Sequence, residues 1–314
     1  MVILNLILFL SFLAVLVKSA DYATKYSSKI AKIFHLSEFI VSFFIVAIIS
    51  ALPEATISII SAIKGVPEFG LGTLLGSNVA DLALVFGIIA LISSGGVRVK
   101  SEIIKKNFFY ILLLLFPVLL GLDGYLSRAE GTLLIVAGLF FFFTLSVESR
   151  MFKKKFNNLM DRAFFKNLAL LILSLSALLV GANYAIKFGI NFANDLQIPP
   201  VLISLTVVSI GVCLPELLFA IRAVRNNHND LALGDIIGTV ITDATIILGI
   251  VAVISPFYFN PLIIYVTGTA MLIAGILTTV FITTDKVLTK KEGLLLLLFY
   301  MAYLAVEIVV NGLL

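Results

Sequence analysis

The sequence predicts an all-α polytopic membrane protein with ten transmembrane helices, arranged as two inverted five-helix repeats with broken helices at a central site. Three observations support this fold class. The chain of 314 residues is 61% hydrophobic and only 13% charged, whereas soluble domains are about one quarter charged. A segment of about 40 residues recurs further along the chain, and the basic residues alternate between successive connections.

The composition leaves no room for a separate soluble domain, because almost every long stretch of the chain is apolar. The expected partners are the lipid bilayer and small solutes, with no nucleic acid. A single cysteine, Cys213, excludes an internal disulfide. The apolar segment that follows Met1 lacks a basic start and a small-residue cleavage site, so it is expected to be a first span and not a signal peptide.

A segment that contains a Leu-Pro-Glu triplet occurs twice. Each triplet, ending at Glu54 or Glu216, lies in the middle of an apolar run long enough to cross a bilayer. The two glutamates are separated by the same distance as Asp81 and Asp243, since 216 − 54 and 243 − 81 both equal 162. Glycines keep this repeat distance without a gap, first at Gly72, Gly76 and Gly87 and then at Gly234, Gly238 and Gly249. The segment is therefore an internal repeat.

Ten apolar segments are expected to cross the membrane. They lie near residues 2–17, 37–63, 69–94, 107–121, 130–147, 167–186, 199–224, 231–256, 260–282 and 293–312. Apolar residues keep a helical spacing after Lys18, which predicts that the first helix continues toward Leu36.

The longest polar stretch divides the ten segments into two groups of five. The expected domains are a first five-helix repeat at residues 1–148, a basic cytoplasmic linker at 149–166 and a second five-helix repeat at 167–314.

The basic residues of the connections lie almost entirely on one side. Connections 1–2, 3–4, 5–6, 7–8 and 9–10 hold 19 Lys or Arg residues, and the other connections hold only Lys64, Arg128 and Lys187. Because basic loops stay in the cytoplasm, both chain termini are expected outside the cell membrane. Five spans per repeat is an odd number, so the two repeats must insert with opposite orientations. Inverted repeats with a central site are typical of secondary transporters.

Each repeat offers carboxyl and hydroxyl groups near the middle of the membrane. The proline of each triplet interrupts the hydrogen bonding of its helix, and an acid at that depth is costly enough to indicate a function. Residues four apart share a helix face, which pairs a hydroxyl with a carboxylate. The candidates are Ser50, Glu54, Ser77 and Asp81 in the first repeat and Ser209, Glu216, Thr239 and Asp243 in the second.

Carboxylates, hydroxyls and carbonyls form an all-oxygen ligand set, which suits a hard cation. Ca2+ takes roughly six to eight oxygen ligands in irregular geometry, whereas Mg2+ prefers to keep its waters. The sequence has no cluster of His or thiolate residues, so zinc, copper and iron are not expected. The ligand set predicts Ca2+, and Mn2+ or another divalent ion remains an alternative. A further intramembrane acid, Asp235, is expected to cap a helix start, and the alternative is that it influences ion entry.

The two repeats resemble the alpha-repeats of the cation/calcium exchanger superfamily, and most closely those of its sodium/calcium exchanger branch. That branch typically carries Gly-Thr-Ser-Leu-Pro-Glu in one span and Gly-Asn-x-x-Gly-Ser-Asn-x-x-Asn or Asp in the next. Here residues 49–54 read Ile-Ser-Ala-Leu-Pro-Glu, and residues 72–81 read Gly-Thr-Leu-Leu-Gly-Ser-Asn-Val-Ala-Asp. Residues 211–216 read Gly-Val-Cys-Leu-Pro-Glu, and residues 234–243 read Gly-Asp-Ile-Ile-Gly-Thr-Val-Ile-Thr-Asp. With the span count and the central basic loop, the resemblance covers essentially the whole chain.

The resemblance implies alternating-access antiport of Ca2+ against a monovalent cation, H+ and/or Na+, by a transporter and not an enzyme. Glu54 and Glu216 would be the central Ca2+ ligands, and Asp81 and Asp243 would flank them. The positions that match backbone-carbonyl ligands of that branch are Ala47, Gly76, Ser209 and Gly238. The protein is expected to function as a monomer.

Departures from the family pattern bear on the counter-ion. In that branch, hydroxyls before each glutamate help to bind Na+, but three of the four positions hold Ala51, Val212 and Cys213 here, and only Ser50 keeps a hydroxyl. Four ionised acids around one divalent ion would leave a charge of about −2 in a low-dielectric site, which is costly. One or two of the acids should therefore keep a proton. The sequence predicts proton coupling or mixed coupling.

Two other classes compete with an exchanger. Leu233-Gly234-Asp235 resembles part of the Gly-x-Gly-Asp motif of presenilin-like aspartyl proteases, but Ala232 replaces the first glycine and no Tyr-Asp partner motif occurs. A protease also has no need of a repeat with matched acids. A passive channel or an ion-sensing scaffold could use the same site, although duplicated breaks favour a gated carrier.

Overall fold

The computed structural model describes residues 1–33, 50–93, 95–98, 109–148, 162–284 and 287–312, and these are almost entirely helical. The helices of the first half are α1 Val2–Ile33, α2 Leu52–Ile63, α3 Pro67–Val79, α4 Phe86–Ile92, α5 Phe109–Leu120 and α6 Arg128–Glu148. Those of the second half are α7 Arg162–Asp195, α8 Pro200–Ile203, α9 Ser209–Val212, α10 Leu214–Arg225, α11 Asn229–Ile241, α12 Leu248–Ile254, α13 Thr269–Thr284 and α14 Lys290–Gly312. Four two-residue strands are β1 Val97–Arg98, β2 Tyr125–Leu126, β3 Phe257–Tyr258 and β4 Val287–Leu288. The all-α fold class is confirmed.

Several of these helices are joined by π-helical segments, in which the turn is wider than in an α-helix. The segment Ala80–Val85 joins α3 to α4, and Thr242–Ile247 joins α11 to α12. A third, Ser204–Val208, joins α8 to α9, and a fourth, Ile264–Gly268, leads into α13. Such segments occur mostly as local insertions and frequently at functional sites.

The internal repeat extends well beyond the segment found in the sequence. The boundaries of α2, α3, the first π-helical segment and α4 recur one repeat distance later, in α10, α11, the π-helical segment Thr242–Ile247 and α12. The first residues of β2 and α6 recur at the same distance in β4 and α14. The two halves therefore fold alike around the centre of the chain.

Seven helices of the described chain are long and apolar enough to cross a membrane, judged by length and composition. They cover Val2–Ser19, Pro67–Ile92, Phe164–Asp195, Pro200–Arg225, Asn229–Ile254, Ile264–Thr283 and Lys290–Val310. Two shorter apolar helices, Leu52–Ile63 and Tyr110–Leu120, lie in the second and fourth predicted spans, and α6 lies in the fifth. The part of the second predicted span before residue 50 lies outside the described residues.

The first and sixth spans are longer than a bilayer requires. Helix α1 continues to Ile33, as the spacing after its first span predicts. Helix α7 begins at Arg162, inside the predicted linker, and continues to Asp195, well past its predicted end near residue 186. Its extra turns are held by aromatic contacts with α1, since Phe188 stacks on Phe12 with ring centroids 5.7 Å apart.

Helices α1 and α7 form a pair with a hydrophobic cluster of its own. Phe9 and Leu16 of α1 pack there with Ile186 of α7. The cluster also reaches Ile57 of α2 and Val212 of α9. A second and larger cluster is built mainly by α3 to α6 and α10 to α14. The α1–α7 pair therefore lies on one flank of a central bundle.

The two halves contact each other crosswise. Strand β1 pairs with β4, and β2 pairs with β3, so each antiparallel pair joins a loop of one half to a loop of the other. A Cβ atom added to Gly131 of α6 would lie 2.7 Å from the carbonyl oxygen of Gly249 in α12, and one added to Gly293 of α14 would lie 2.9 Å from that of Gly87 in α4. Only glycine permits helices to approach so closely.

Helices α6 and α14 begin with the same capping arrangement. The amide of Ser127 and its hydroxyl donate to Oε2 of Glu130 at 2.8 and 2.7 Å. The amide and hydroxyl of Thr289 donate to Oε2 of Glu292, both at 2.7 Å. This arrangement is a capping box, and it satisfies backbone donors that have no partner inside the helix.

Replacing either capping glutamate by alanine should destabilise the protein by about 1 kcal/mol. We expect Glu130→Ala and Glu292→Ala to lower the midpoint of thermal unfolding in detergent by similar amounts. Glu130→Gln is the matched control, because a carboxamide can take the same place in the box. Unfolding midpoints of the two Ala variants equal to that of the wild type would show that the capping box contributes nothing.

Candidate cation site

The helix that carries each Leu-Pro-Glu triplet is interrupted just before the triplet. Helix α10 begins at Leu214, after a turn at Cys213 that separates it from α9, and α2 begins at Leu52 after a turn at Ala51. Each proline is in the first turn, where its missing N–H would have no partner in any case. Both glutamates therefore lie in the first turn of a helix that starts inside a span.

The aspartates of the next spans lie in wider turns. Asp81 and Asp243 are each the second residue of a π-helical segment. The segments that contain them follow α3 and α11, so the two aspartates occupy equivalent places in the two repeats. Neither aspartate caps a helix, because helix continues on both sides of each of them.

The four carboxylates are fully buried and lie near enough to interact electrostatically. Glu54 interacts electrostatically with Asp243 and Asp81, Glu216 with Glu54 and Asp81, and Asp243 with Asp81. All four have 0% of their surface exposed. Both carboxylate oxygens of each residue are buried, and none of them accepts a hydrogen bond from a described residue. The fold thus brings together the four acids that the repeat singles out.

No positive charge balances the cluster within the described part of the chain. None of the described Lys, Arg or His side chains is buried. Isolated buried carboxylates are very costly, so the cluster needs bound cations or protons. Among the described residues, however, no three or more His, Cys, Asp or Glu side chains converge into a ready metal-binding group. A cation there would therefore also draw on hydroxyl and backbone oxygens.

Two hydroxyl groups near the cluster donate hydrogen bonds to backbone carbonyls of their own helical segments. Ser77 donates to the carbonyl of Leu74 at 3.0 Å and lies beside Asp243. Ser209 donates to the carbonyl of Leu205 at 2.6 Å. Because those protons point back into the helices, the oxygen lone pairs stay available to a cation. Thr239 is fully buried in the same region of the second repeat.

The glycine of the first repeat allows two spans to touch. A Cβ atom added to Gly76 would lie 2.5 Å from the carbonyl oxygen of Leu205 and 2.9 Å from Cβ of Ser209. Gly238 is buried at the equivalent place in the second repeat. The predicted carbonyl ligand at Ala47 lies outside the described residues.

The prediction that Asp235 caps a helix start is wrong. Asp235 is the seventh residue of α11, which begins at Asn229, and it is fully buried. Ser50 of the other half donates a hydrogen bond to its Oδ1 at 3.0 Å. Because the first helical turn is already past, the backbone has no free amide there for a cap. Asp235 instead joins the acidic cluster, where it interacts with Glu54 and Glu216.

Three neighbours of the cluster were not predicted from the sequence. Cys213 Sγ lies 3.5 Å from the carbonyl oxygen of Ser77 and beside Asp81. Asn78 is fully buried with its side-chain oxygen unpaired among the described residues. Tyr300 of α14 lies beside both Cys213 and Asp81. Comparing the halves at the repeat distance marks all three, since the counterparts of Asn78, Cys213 and Tyr300 are Val240, Ala51 and Gly138.

A sequence model of the sodium/calcium exchanger protein family matches the chain twice, at residues 4–147 and at residues 166–309. The chain belongs to this family. The two matches are displaced by the repeat distance, so each half of this exchanger matches the family separately.

Relatives of known name cover nearly the whole exchanger. It is 29% identical to sodium/calcium exchanger MaX1 of Methanosarcina acetivorans, over 98% of this chain and 99% of that protein. It is 30% identical to putative antiporter CaxA of Alkalimonas amylolytica, over 93% of this chain and 94% of that protein. Inner membrane protein YrbG of Escherichia coli is 28% identical over 84% of each chain.

Solved structures of the sodium-calcium exchanger NCX_Mj have the same fold. The structure soaked with 10 mM Na+ and zero Ca2+ superposes with a TM-score of 0.72 at 26% identity, covering 97% of this exchanger and 99% of that chain. The structure soaked with zero Na+ and Ca2+ superposes with a TM-score of 0.68 at 27% identity. The predicted ten-helix, inverted-repeat membrane fold is thereby confirmed, and the exchanger is a secondary transporter and not an enzyme.

Proposed function

We propose that this exchanger moves Ca2+ across the membrane against protons, alone or together with Na+. Glu54, Glu216, Asp81 and Asp243 hold the ion, with oxygens from Ser50, Ser77, Ser209 and Thr239 and from the backbone at Ala47, Gly76, Ser209 and Gly238. The observation that carries the proposal is the cluster of fully buried acids, contributed by broken helices of both halves, without a buried base among the described residues.

A divalent ion suits this cluster because its charge offsets two carboxylates at once. Ca2+ accepts irregular oxygen geometry, and the site combines carboxylates, hydroxyls and backbone at helix breaks. Mn2+ or a similar divalent ion would meet the same donors and is the alternative substrate. The aspartyl protease alternative has no support, since Asp235 is hydrogen-bonded to Ser50 within the cluster.

Protons suit the counter-ion role because the hydroxyl ligands of a sodium site are mostly missing. Ala51 and Val212 carry no hydroxyl, and Cys213 offers a sulfur atom, which is a poor ligand for Na+. The remaining hydroxyl, on Ser50, donates to Asp235. With Asp235 counted, five acids surround the site, so some must be protonated whenever a single divalent ion is bound.

Alternating access is supported by cavities at opposite ends of the bundle. One, of about 490 Å3, is lined by residues before α3 and after α12. The other, of about 550 Å3, is lined by residues before α11 and after α4, which are the repeat-related positions. Glu68 lines the first cavity, and Arg98 and Arg225 line the second. The two cavities thus lie at repeat-related places, as the proposed alternating access requires.

The moving part is proposed to be the α1–α7 pair. It has its own hydrophobic cluster and lies on the broken spans. Leu13 of α1 lies against Gly211, just before the break at Cys213, where an added Cβ atom would come within 2.7 Å of the leucine side chain. Sliding of this pair would change access to the site without separating the strand pairs.

The exchanger is proposed to function as a monomer in the cell membrane, with both termini outside and a cytoplasmic linker at residues 149–166. The loop charges support this orientation. One half contributes Glu54 and Asp81 and the other contributes Glu216 and Asp243, so a single chain supplies the complete site.

The test is Ca2+ uptake by proteoliposomes that contain the purified exchanger. An outward proton gradient should drive uptake at least tenfold faster than no gradient, and Glu54→Gln should remove it. Uptake that follows a sodium gradient and ignores a proton gradient would overturn the counter-ion assignment. Ca2+ binding without uptake under either gradient would favour a scaffold, and no binding at all would favour another divalent ion.

A further inference from the structure

The cavity of about 550 Å3 lies beside the last residues of α4 and α10. Two arginines line it, Arg98 of β1 and Arg225, which is the last residue of α10. Asn227 and Asn229 line the same cavity and add side-chain amides as further hydrogen-bond donors. This combination of positive charge and donors suits an anion and not the cation of the central site.

Neither arginine is paired within the described part of the chain, where no residue forms an ion pair or a side-chain hydrogen bond with either guanidinium group. The described residues that line the cavity include no acid. Asp230, the next residue after the lining residue Asn229, lies outside the lining and has an interaction of its own. Arg222, one turn before Arg225, differs, because its guanidinium lies 3.9 Å from a carboxylate oxygen of Asp21. The two guanidinium groups of the cavity are therefore available to a ligand.

The fold itself does not require positive charge at this place. The cavity of about 490 Å3 occupies the repeat-related position, yet its described lining includes an acid, Glu68, and no base. The counterparts of Arg98 and Arg225 at the repeat distance are Asn260 and Ile63. Because the backbone repeats and the charge does not, the arginines indicate a task that belongs to one cavity alone.

Phosphate is the group that best matches a pair of guanidinium groups. Arginine binds phosphate oxygens through two parallel N–H donors, which is why it is favoured wherever phosphate is recognised. The volume of about 550 Å3 falls within the range of about 300–1,000 Å3 that is usual for small-molecule sites. Ile92 and Val224 also line the cavity and offer apolar contacts to the organic part of a phosphate ester.

We propose that this cavity is a binding site for a phosphate-bearing ligand, held by Arg98 and Arg225. A lipid headgroup and a soluble phosphate present the same group to the two arginines, and the experiment below distinguishes them. Arg98 comes from the first half of the chain and Arg225 from the second. A bound phosphate group therefore joins β1 to the end of α10, the helix whose first turn contains Glu216.

A bound phosphate group also affects the transport proposed above. This cavity is one of the two that support the proposed alternating access, and its guanidinium groups repel an approaching cation. The negative charge of the ligand offsets that repulsion. Binding of the ligand requires neither Ca2+ nor an ion gradient, so the site is tested independently of the proposed function.

The test measures binding to the purified exchanger in detergent without Ca2+. One arm titrates inorganic phosphate, and sodium chloride at equal ionic strength controls for general screening. The other arm adds phosphatidylglycerol to the micelles, and phosphatidylcholine, which has no net charge, is its control. In both arms the apparent Kd is obtained from the rise of the thermal unfolding midpoint with ligand concentration. The variants are Arg98→Gln and Arg225→Gln, and Arg222→Gln is the matched control.

We expect saturable binding of at least one probe, weakened at least tenfold in both Arg98→Gln and Arg225→Gln. Arg222→Gln should stay within twofold of wild type, because Arg222 does not line the cavity. Binding of phosphatidylglycerol alone assigns the site to a lipid headgroup, and binding of inorganic phosphate assigns it to a soluble phosphate. If one of the two cavity variants does not fold, the other decides.

Saturable binding of neither probe to the wild-type exchanger overturns the proposal. An equal loss in all three arginine variants also overturns it, since that result indicates general attraction to a basic surface. Both results leave the proposed Ca2+ transport intact. Conversely, a wild-type exchanger that binds phosphate through Arg98 and Arg225 but shows no Ca2+ uptake overturns the proposed function and keeps the site.

Discussion

Replacing Glu54 or Glu216 by glutamine should reduce Ca2+ transport at least 100-fold, which corresponds to about 2.7 kcal/mol of lost stabilisation. Glutamine keeps the size of the side chain and removes its charge. Both glutamates are fully buried, with carboxylate oxygens that have no hydrogen-bond partner among the described residues. A bound cation is therefore expected to depend directly on them.

The measurement is isotopic Ca2+ flux in proteoliposomes, together with Ca2+ binding to the purified variants. Asp123→Asn is the control, because Asp123 is exposed and its carboxylate accepts only a local hydrogen bond, from the backbone amide of Tyr125. Both glutamate variants should lose binding and flux alike, since the repeats place them equivalently. Flux above half of the wild-type rate in either variant would exclude that carboxylate as an ion ligand.

Replacing Gly76 by alanine should abolish transport or prevent folding, although it adds only one methyl group. The new carbon would lie 2.5 Å from the carbonyl oxygen of Leu205 and 2.9 Å from Cβ of Ser209. Backbone cannot yield as a flexible side chain can, so α3 and the π-helical segment Ser204–Val208 would be forced apart. Overpacking of this kind costs about 1–3 kcal/mol or more, and it would displace Ser77 and Ser209 together.

Gly95→Ala is the matched control, since an added Cβ atom at Gly95 meets nothing within 4 Å. The measurements are the yield of monodisperse protein in detergent and Ca2+ flux in proteoliposomes. We expect at least a tenfold loss of flux for Gly76→Ala and less than a twofold change for Gly95→Ala. Similar yield and Ca2+ flux for the two variants would mean that the contact between α3 and the segment Ser204–Val208 adapts easily to an added methyl group.

The sequence was most informative where a pattern was local or periodic. The constant distance that separates Glu54 from Glu216 and Asp81 from Asp243 predicts the repeat, and the structure keeps that distance at element boundaries. The capping boxes at Ser127 and Thr289 stand at the same distance and would have extended the repeat from the sequence alone. Apolar periodicity likewise predicts how far α1 continues.

Contacts between the halves could not be derived in this way. The hydrogen bond from Ser50 to Asp235 joins residues 185 positions apart, and nothing in either local sequence specifies it. Repeat symmetry does not predict it either, because the counterparts of Ser50 and Asp235 are Val212 and Thr73. Thr73 instead donates to the carbonyl of Phe69 within its own helix. Pairs that break the symmetry become visible only once the halves are placed together.

The crosswise strand pairs have a consequence for the origin of the chain. Each pair joins one half to the other, and the two pairs lie in loops at opposite ends of the bundle. Close glycine contacts also join one half to the other, between α6 and α12 and between α4 and α14. None of these contacts depends on the covalent link between the halves. Two separately encoded half-length proteins, inserted in opposite directions, could have assembled through the same surfaces before their genes were fused.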